Sequence, residues 1–565
     1  MPGPGGADGL TVRAARPARR ILAACAIAVG AAWGCAPDST CADWCGTIVI
    51  ASPAEADVLL PPVSQSDVGR SLADLVFLKL ADIGPELNTV DNASFVPKLA
   101  ASWTFEDSVT IVFALHPEAR WHDGVPVTAE DVAFTFDVYR DTLVGSPARP
   151  RLAQIRSVTA RDSATVVFTF ARPYPEQLFD AVYHMWVIPR HLLDTVPRAA
   201  LSSHPFGRAP VGAGPYRFAG WIPGESIELT GDSTHFLGRP GLRRVIARFT
   251  GDPPAALRLL TAGEADLLNY LWAEAQEEVA ASADYVVVPH LSSTYYSYLA
   301  FNLRMPRDPS RPHPLFADRE LRRAIAMAVD RAAVIRAVDG PDGVLAGGPL
   351  GPAYWISDAT YEQIPFDSAG ARRALAAMGW HDSDGDGVLD RDGTPLAFDL
   401  IVPATSTPRR RSAVIVQEQL RRAGIAMRIS ELDFLTFQER GQSGDFDLFY
   451  GTFGGDPSPS TIVEAWTGQA VGGFNYGRYV NLEFDRAVAA ALEARTLETA
   501  RDRWTEALTI INDDAPAIWM SASEPRAGVH RRLHNVTIRG DNMTATLPAW
   551  SVSPSATIAR DRIAN

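Results

Sequence analysis

FVPKLAASWTFEDSVTIVFALHPEARWHDGVPVTAEDVAFTFD, residues Phe95–Asp137, is the stretch on which the architecture of this 565-residue chain turns. Within it Val109–Leu115 alternates apolar and other residues, the period of a half-buried strand. His122-Asp123-Gly124 reads as a turn, because glycine supplies backbone freedom and aspartate bonds local N–H groups. Thr128-Ala129-Glu130-Asp131 then sets a threonine cap three positions ahead of an acidic residue, just before Val132, Phe134 and Phe136. That pattern opens a helix. Strand, turn and capped helix recur outward from here. Thr47–Ser52 and Thr165–Phe170 read as strands, and Leu72–Leu80 as helical. Ala317–Val338 is expected to be one helix, since Leu321, Ile325, Ala328, Val329 and Ile335 recur at three- and four-residue steps. Ala413–Ala423 reads as a helix ended by Gly424 before a strand Ile425–Ile429, and Leu482–Ala494 and Arg501–Ile511 as late helices. Proline-rich Arg304–Pro314 reads as a loop entering a second lobe. Strands and helices alternating through most of the chain imply an α/β fold.

Composition narrows the function. Hydrophobic residues are 47% and charged residues 21%, as in ordinary globular proteins. The length exceeds what one core serves, so about two to four domains or subdomains are expected. A net charge of −14 repels polyanions and argues against nucleic acid as a partner. Only Lys79 and Lys98 are lysines, which reads as coding bias without a function. At the N-terminus Arg13, Arg16, Arg19 and Arg20 precede an apolar run Ile21–Trp33. The run is shorter than the roughly 20 residues that span a bilayer, so residues 1–34 read as a signal peptide. It ends Ala32-Trp33-Gly34-Cys35, which resembles the lipobox of bacterial lipoproteins, with Cys35 the expected lipid attachment. Leu22-Ala23-Ala24-Cys25 follows Arg20 too closely to leave an apolar segment before the cut; a plain signal peptide or uncleaved anchor is the alternative. Residues 35–46 would be the tether, with Cys41 and Cys45 forming a small disulfide in an oxidising compartment.

Five blocks in order resemble the family 5 extracellular solute-binding proteins, which include oligopeptide, dipeptide and nickel receptors. The first is Phe95–Asp137, with Pro-x-Leu-Ala-x-Ser-Trp and His-Asp-Gly before Ala-Glu-Asp-Val. The second is Gly212–Pro240, opening GAGPYRFAGW. The third is Phe301-Asn302-Leu303 with RELRRAIAMAVDRAAVI after it, and the fourth Asp367–Leu400. The fifth runs from Gln417 to Pro457, on to Asn475-Tyr476, and then RDRWTEALTIINDDAPAIWM. The resemblance implies a two-lobed periplasmic-binding-protein type II fold that closes on ligand. Lobe I would be residues 47–300 plus 522–565, with a subdomain inserted at about 67–205, and lobe II residues 301–521. It further implies an envelope-located, monomeric receptor delivering peptides or similar solutes to an ABC permease and its ATPase. No enzyme activity and no cofactor are expected. The alternatives are a receptor for an oligosaccharide or metal chelate, or a signalling or envelope-interaction protein that has lost transport.

For the site, the resemblance directs attention to Asp445–Trp466. Peptide receptors of the family carry there an Asp for the ligand's ammonium, three residues before an Asp-Pro. In this chain that place is Phe453, and the Asp-Pro is Asp456-Pro457. Asp456 is thus either a shifted ammonium partner or a turn cap. Arg410, within Arg409–Arg411, is a candidate carboxylate fork, against a solvated helix start. Tyr296, Tyr354, Tyr450, Trp466 and Tyr476 are candidate aromatic contacts, and Asn302 and Asn475 candidate polar ones. Asp382, Asp384, Asp386 and Asp390 are spaced like the start of a calcium loop, but Gly393 stands where such a loop needs Glu. The other reading is a solvated acidic turn.

Overall fold

The computed structural model describes residues 44–341, 343–522 and 525–561. Its first strand, Thr47–Ser52, is buried along its whole length. Ile48 and Ile50 point into one apolar cluster, and Val49 and Ala51 into another on the opposite face. A short run without alternation is what a parallel strand covered on both sides requires. It pairs in parallel with Arg244–Phe249 and with Leu267–Leu268. These strands belong to a seven-stranded mixed sheet that also takes Tyr285–Pro289, Arg526–His530, Ser226–Gly231 and Tyr216–Ile222.

A second sheet of five strands is ordered Ala426–Leu432, Ala397–Pro403, Leu448–Phe453, Tyr296–Phe301, Ala517–Trp519. Tyr285–Pro289 lies in the first sheet and Tyr296–Phe301 in the second, so the chain passes from one sheet to the other between them. Ala517–Trp519 is again in the second sheet and Arg526–His530 in the first. A third, antiparallel sheet joins Ala100–Asp107, Thr110–Leu115, Thr165–Phe170 and Ile155–Ala160, with helix Ala129–Arg140 against it. That helix starts at the expected cap: the Thr128 N–H donates to the Asp131 carboxylate at 2.8 Å.

Several expected elements differ in outline. The expected helix over Ala317–Val338 is two, Arg319–Met327 and Arg331–Val338. The Asp330 carboxylate accepts from the Ala333 N–H at 2.9 Å, and the Asp330 N–H donates to Gln419 at 2.9 Å, so side chains replace helix bonding there. The early helix is Asp67–Val76, capped by Ser66, rather than Leu72–Leu80. Arg304–Pro314 contains a hairpin, Arg304–Met305 with Asp308–Pro312. The helix at Ala413 is longer than expected, Thr407–Arg422.

Two close approaches shape the first lobe. A Cβ at Gly212 would fall 1.8 Å from the Val76 carbonyl oxygen, and one at Gly214 would fall 2.4 Å from that of Leu75. The GAG stretch therefore lies directly against the end of helix Asp67–Val76. At the far side, buried charges tie the first strand to the last described residues. Asp561 accepts from the Thr47 N–H at 2.6 Å and from Arg532 at 2.7 Å. Asp266 accepts from Arg532 at 2.8 Å, Arg560 at 2.6 Å and the Val49 N–H at 2.9 Å.

Cys45 is disulfide-bonded. Cys35 and Cys41 lie outside the described residues, as does the signal segment. Among the described residues no helix is long and apolar enough to cross a membrane.

Candidate functional site

A chamber of about 360 Å³ lies where the two lobes meet. Lys79, Arg151, His184, Tyr295, Asp456 and Arg539 are among the residues that line it. A side chamber of about 270 Å³ shares Arg151 and is walled by Trp355, Trp504, Glu176 and Asp180. Together they form a cleft with walls drawn from distant parts of the chain.

Arg151 spans it. Its guanidinium lies 3.3 Å from Asp456 and 2.7 Å from Glu464, and donates to Ser460 Oγ at 2.9 Å. Ser458 Oγ donates across the same gap to Glu176 at 2.8 Å, and Arg172 donates to the Leu492 carbonyl. On another rim Arg411 pairs with Glu274 at 2.7 Å. These contacts join the two sides of the cleft.

Burial dominates the ionisation of the cleft. It pushes Glu176 and Asp180 up to about 7, Glu176 further by the nearby Asp180, although Thr89 and Ser458 donate to Glu176 and Tyr174 donates to Asp180. Burial also drives His184 down to about 3, so its ring is neutral. Its Nε2 is 3.4 Å from Asp180 without hydrogen-bond geometry. On the floor Tyr183 donates to Asp541 at 3.0 Å, and Arg539 grips Asp541 at 2.8 Å and Asp82 at 3.1 Å. Lys79 lies over the rings of Tyr183 and Trp186, at 4.4 and 4.3 Å.

Of the residues singled out in the sequence, Asp456 lines the chamber, with its carboxylate held by Arg151. Its bond to the Ser458 N–H, at 3.4 Å, is the turn contact. Most of the others pack away from it. Tyr296 is 2% exposed and takes a hydrogen bond from Trp466 Nε1 at 2.7 Å, so both are core. Its neighbour Tyr295, 42% exposed, faces the chamber instead. Phe453 packs on Tyr296 and Phe474, and Tyr354 bonds Thr461 at 3.0 Å. Asn302 spends its amide on the carbonyls of Gly444 and Phe446, and Asn475 on those of Thr467 and Tyr479. Both are structural braces rather than solute contacts. Tyr450 is buried in the second lobe's core, and Tyr476 packs on Phe449. Arg410 faces outward to Glu431 at 3.4 Å and Thr407 at 3.2 Å.

In the acidic turn, ligand atoms of Asp382, Asp384 and Asp386 lie within 4.8 Å of one another, all exposed. Asp390 stands outside that group, its carboxylate accepting from the Ser383 N–H at 3.0 Å and from its hydroxyl. The turn's carboxylates already accept local N–H groups, as at Gly385 and Gly387.

Sequence reasoning missed Lys79, Arg151, Glu176, Asp180, His184, Arg539 and Asp541. One signal was present: the chain writes nearly every cation as arginine, yet keeps lysine at position 79.

The chain is 26% identical over 477 residues to the oligopeptide-binding protein AppA of Bacillus subtilis, covering 83% of this chain and 85% of the relative. The solved structure of that AppA, in complex with a nonapeptide, superposes with a TM-score of 0.72 at 23% identity, covering 90% of this chain and 99% of the other. The substrate-binding protein CtaP of Listeria monocytogenes superposes with a TM-score of 0.78 at 22% identity, with the same coverage of 90% and 99%. These likenesses establish the two-lobed type II fold. The family model described as bacterial extracellular solute-binding proteins, family 5, matches residues 94–474. With two lobes, a bridged cleft between them and that match, the chain belongs to the family 5 bacterial extracellular solute-binding proteins.

Proposed function

We propose that this chain is the extracytoplasmic receptor of an ABC importer, capturing peptides or peptide-like solutes and delivering them to a permease and its ATPase. The carrying observation is the cleft itself: about 360 Å³, with charged and aromatic groups from both sides and ion pairs that bridge them. A solute gripping both walls favours the shut arrangement by its differential affinity for it, and needs no covalent chemistry. The peptide class is supported by relatives named for oligopeptide binding and by the B. subtilis structure with its nonapeptide. Lipid at Cys35 would hold a monomeric receptor beside its permease, in the cell envelope. Calcium at the Asp382–Asp386 turn is no part of this reading.

Native mass spectrometry of gently purified protein tests the reading. A retained solute of peptide mass, released on unfolding, is the expected result. Ligand-free protein that ignores a broad peptide library would overturn it.

A further inference from the structure

Among the described residues, three of the four cations that line the main chamber are already paired. Arg70 pairs with Asp67, Arg151 with Asp456 and Glu464, and Arg539 with Asp82 and Asp541. The fourth is Lys79. It is 6% exposed, and no carboxylate oxygen among the described residues comes within the 4.0 Å of an ion pair with its Nζ. What it does have is the faces of Tyr183 and Trp186. Rings attract an ammonium, but they replace only part of the hydration that burial removes. Behind it, in a small recess, lie Asp74, Asp82 and Lys98. Asp82 is bound to Arg539. Asp74 accepts from Trp186 Nε1 at 2.6 Å, and burial pushes it upward, against the pull of Lys79.

The described carboxylates that line the chamber, Asp67, Asp456 and Asp541, are each held by an arginine, so none of them waits free for an incoming amine. Among the described cations and carboxylates that line the chamber, Lys79 alone makes no ion pair, although Asp74 and Asp541 feel its charge.

We propose that Lys79 receives the carboxylate of the bound solute, so that the receptor selects for a free carboxylate and does not require a free amine. This rests on reading the main chamber as the solute site. The Tyr183 and Trp186 faces hold the ammonium in place before the solute arrives.

Ligand-stripped receptor is titrated with a random tripeptide pool with free ends, with the same pool N-acetylated, and with the same pool C-amidated, followed by tryptophan fluorescence and by heat. Acetylation is expected to change Kd less than about 3-fold, and amidation to weaken binding about 10- to 100-fold. Lys79→Met should make the free and amidated pools equal, while Lys79→Arg, which keeps the charge, should preserve the preference. Melting curves of both variants check folding. Acetylation costing more than amidation, or a preference that survives Lys79→Met, would overturn the assignment. If no tripeptide pool binds the wild type, the peptide reading fails separately. Short-chain carboxylates against their amides then test Lys79, and the absence of a carboxylate preference overturns it.

Discussion

At the scale of single residues the cleft is governed by burial. Glu176 and Asp180 are pushed up to about 7, above the ordinary carboxylate range. A carboxyl raised on folding contributes stability that is complete below its unfolded pKa and is lost as pH rises through the folded one. Between about pH 5 and about pH 8 the wild type should therefore lose about 4–6 kcal/mol relative to a Glu176→Gln/Asp180→Asn variant. Urea titrations of both proteins at the two pH values measure it, and parallel curves would count against the shift. His184 works in the opposite sense, since a depressed histidine costs stability as pH falls below its ordinary value, which is why the difference between variants is the quantity to read. Legibility at this scale was poor for a definite reason. Tyr295 is the residue just before the strand Tyr296–Phe301, and where extended chain runs, one step moves a side chain to the other face. The sequence singled out Tyr296, but it is the neighbouring ring of Tyr295 that faces the chamber while Tyr296 faces the core.

Elements were far more legible. Thr47–Ser52 and Thr165–Phe170 have the bounds read from the chain, because short runs rich in β-branched and aromatic residues between turn signals leave little choice. The Thr128 cap starts its helix as expected. The break at Asp330 was not legible, since the apolar spacing continues through it and the interruption rests on Gln419, some ninety residues away. The GAG stretch belongs to this scale too. Its glycines are dictated by contact with the Leu75 and Val76 carbonyls, where backbone leaves no room for a methyl group. Gly212→Ala is expected to cost about 2–4 kcal/mol or to shift the end of helix Asp67–Val76. Denaturation midpoints measure the loss, and a change below about 0.5 kcal/mol, the usual effect at an unconstrained surface position, would contradict the close packing.

For the molecule as a whole, the type II architecture was readable from ordered blocks, whereas the cleft was not. Its walls come from segments around Lys79, Arg151, His184, Tyr295, Asp456 and Arg539, and no spacing rule links such distant positions. The same long reach appears in the buried charges around Asp561 and Asp266. Asp561→Ala would leave Arg532 short of a partner and the Thr47 N–H unsatisfied, at an expected cost of about 3–5 kcal/mol. Chemical denaturation measures it; a loss under about 1 kcal/mol would show that the network is not coupled to the first strand. The network also has a kinetic side. A strand made at the outset finds its neighbours only after about two hundred further residues, and its final clasp some five hundred residues later. The first strand therefore cannot complete its pairing before Arg244–Phe249 is made, nor fill its Thr47 N–H before Asp561 is made.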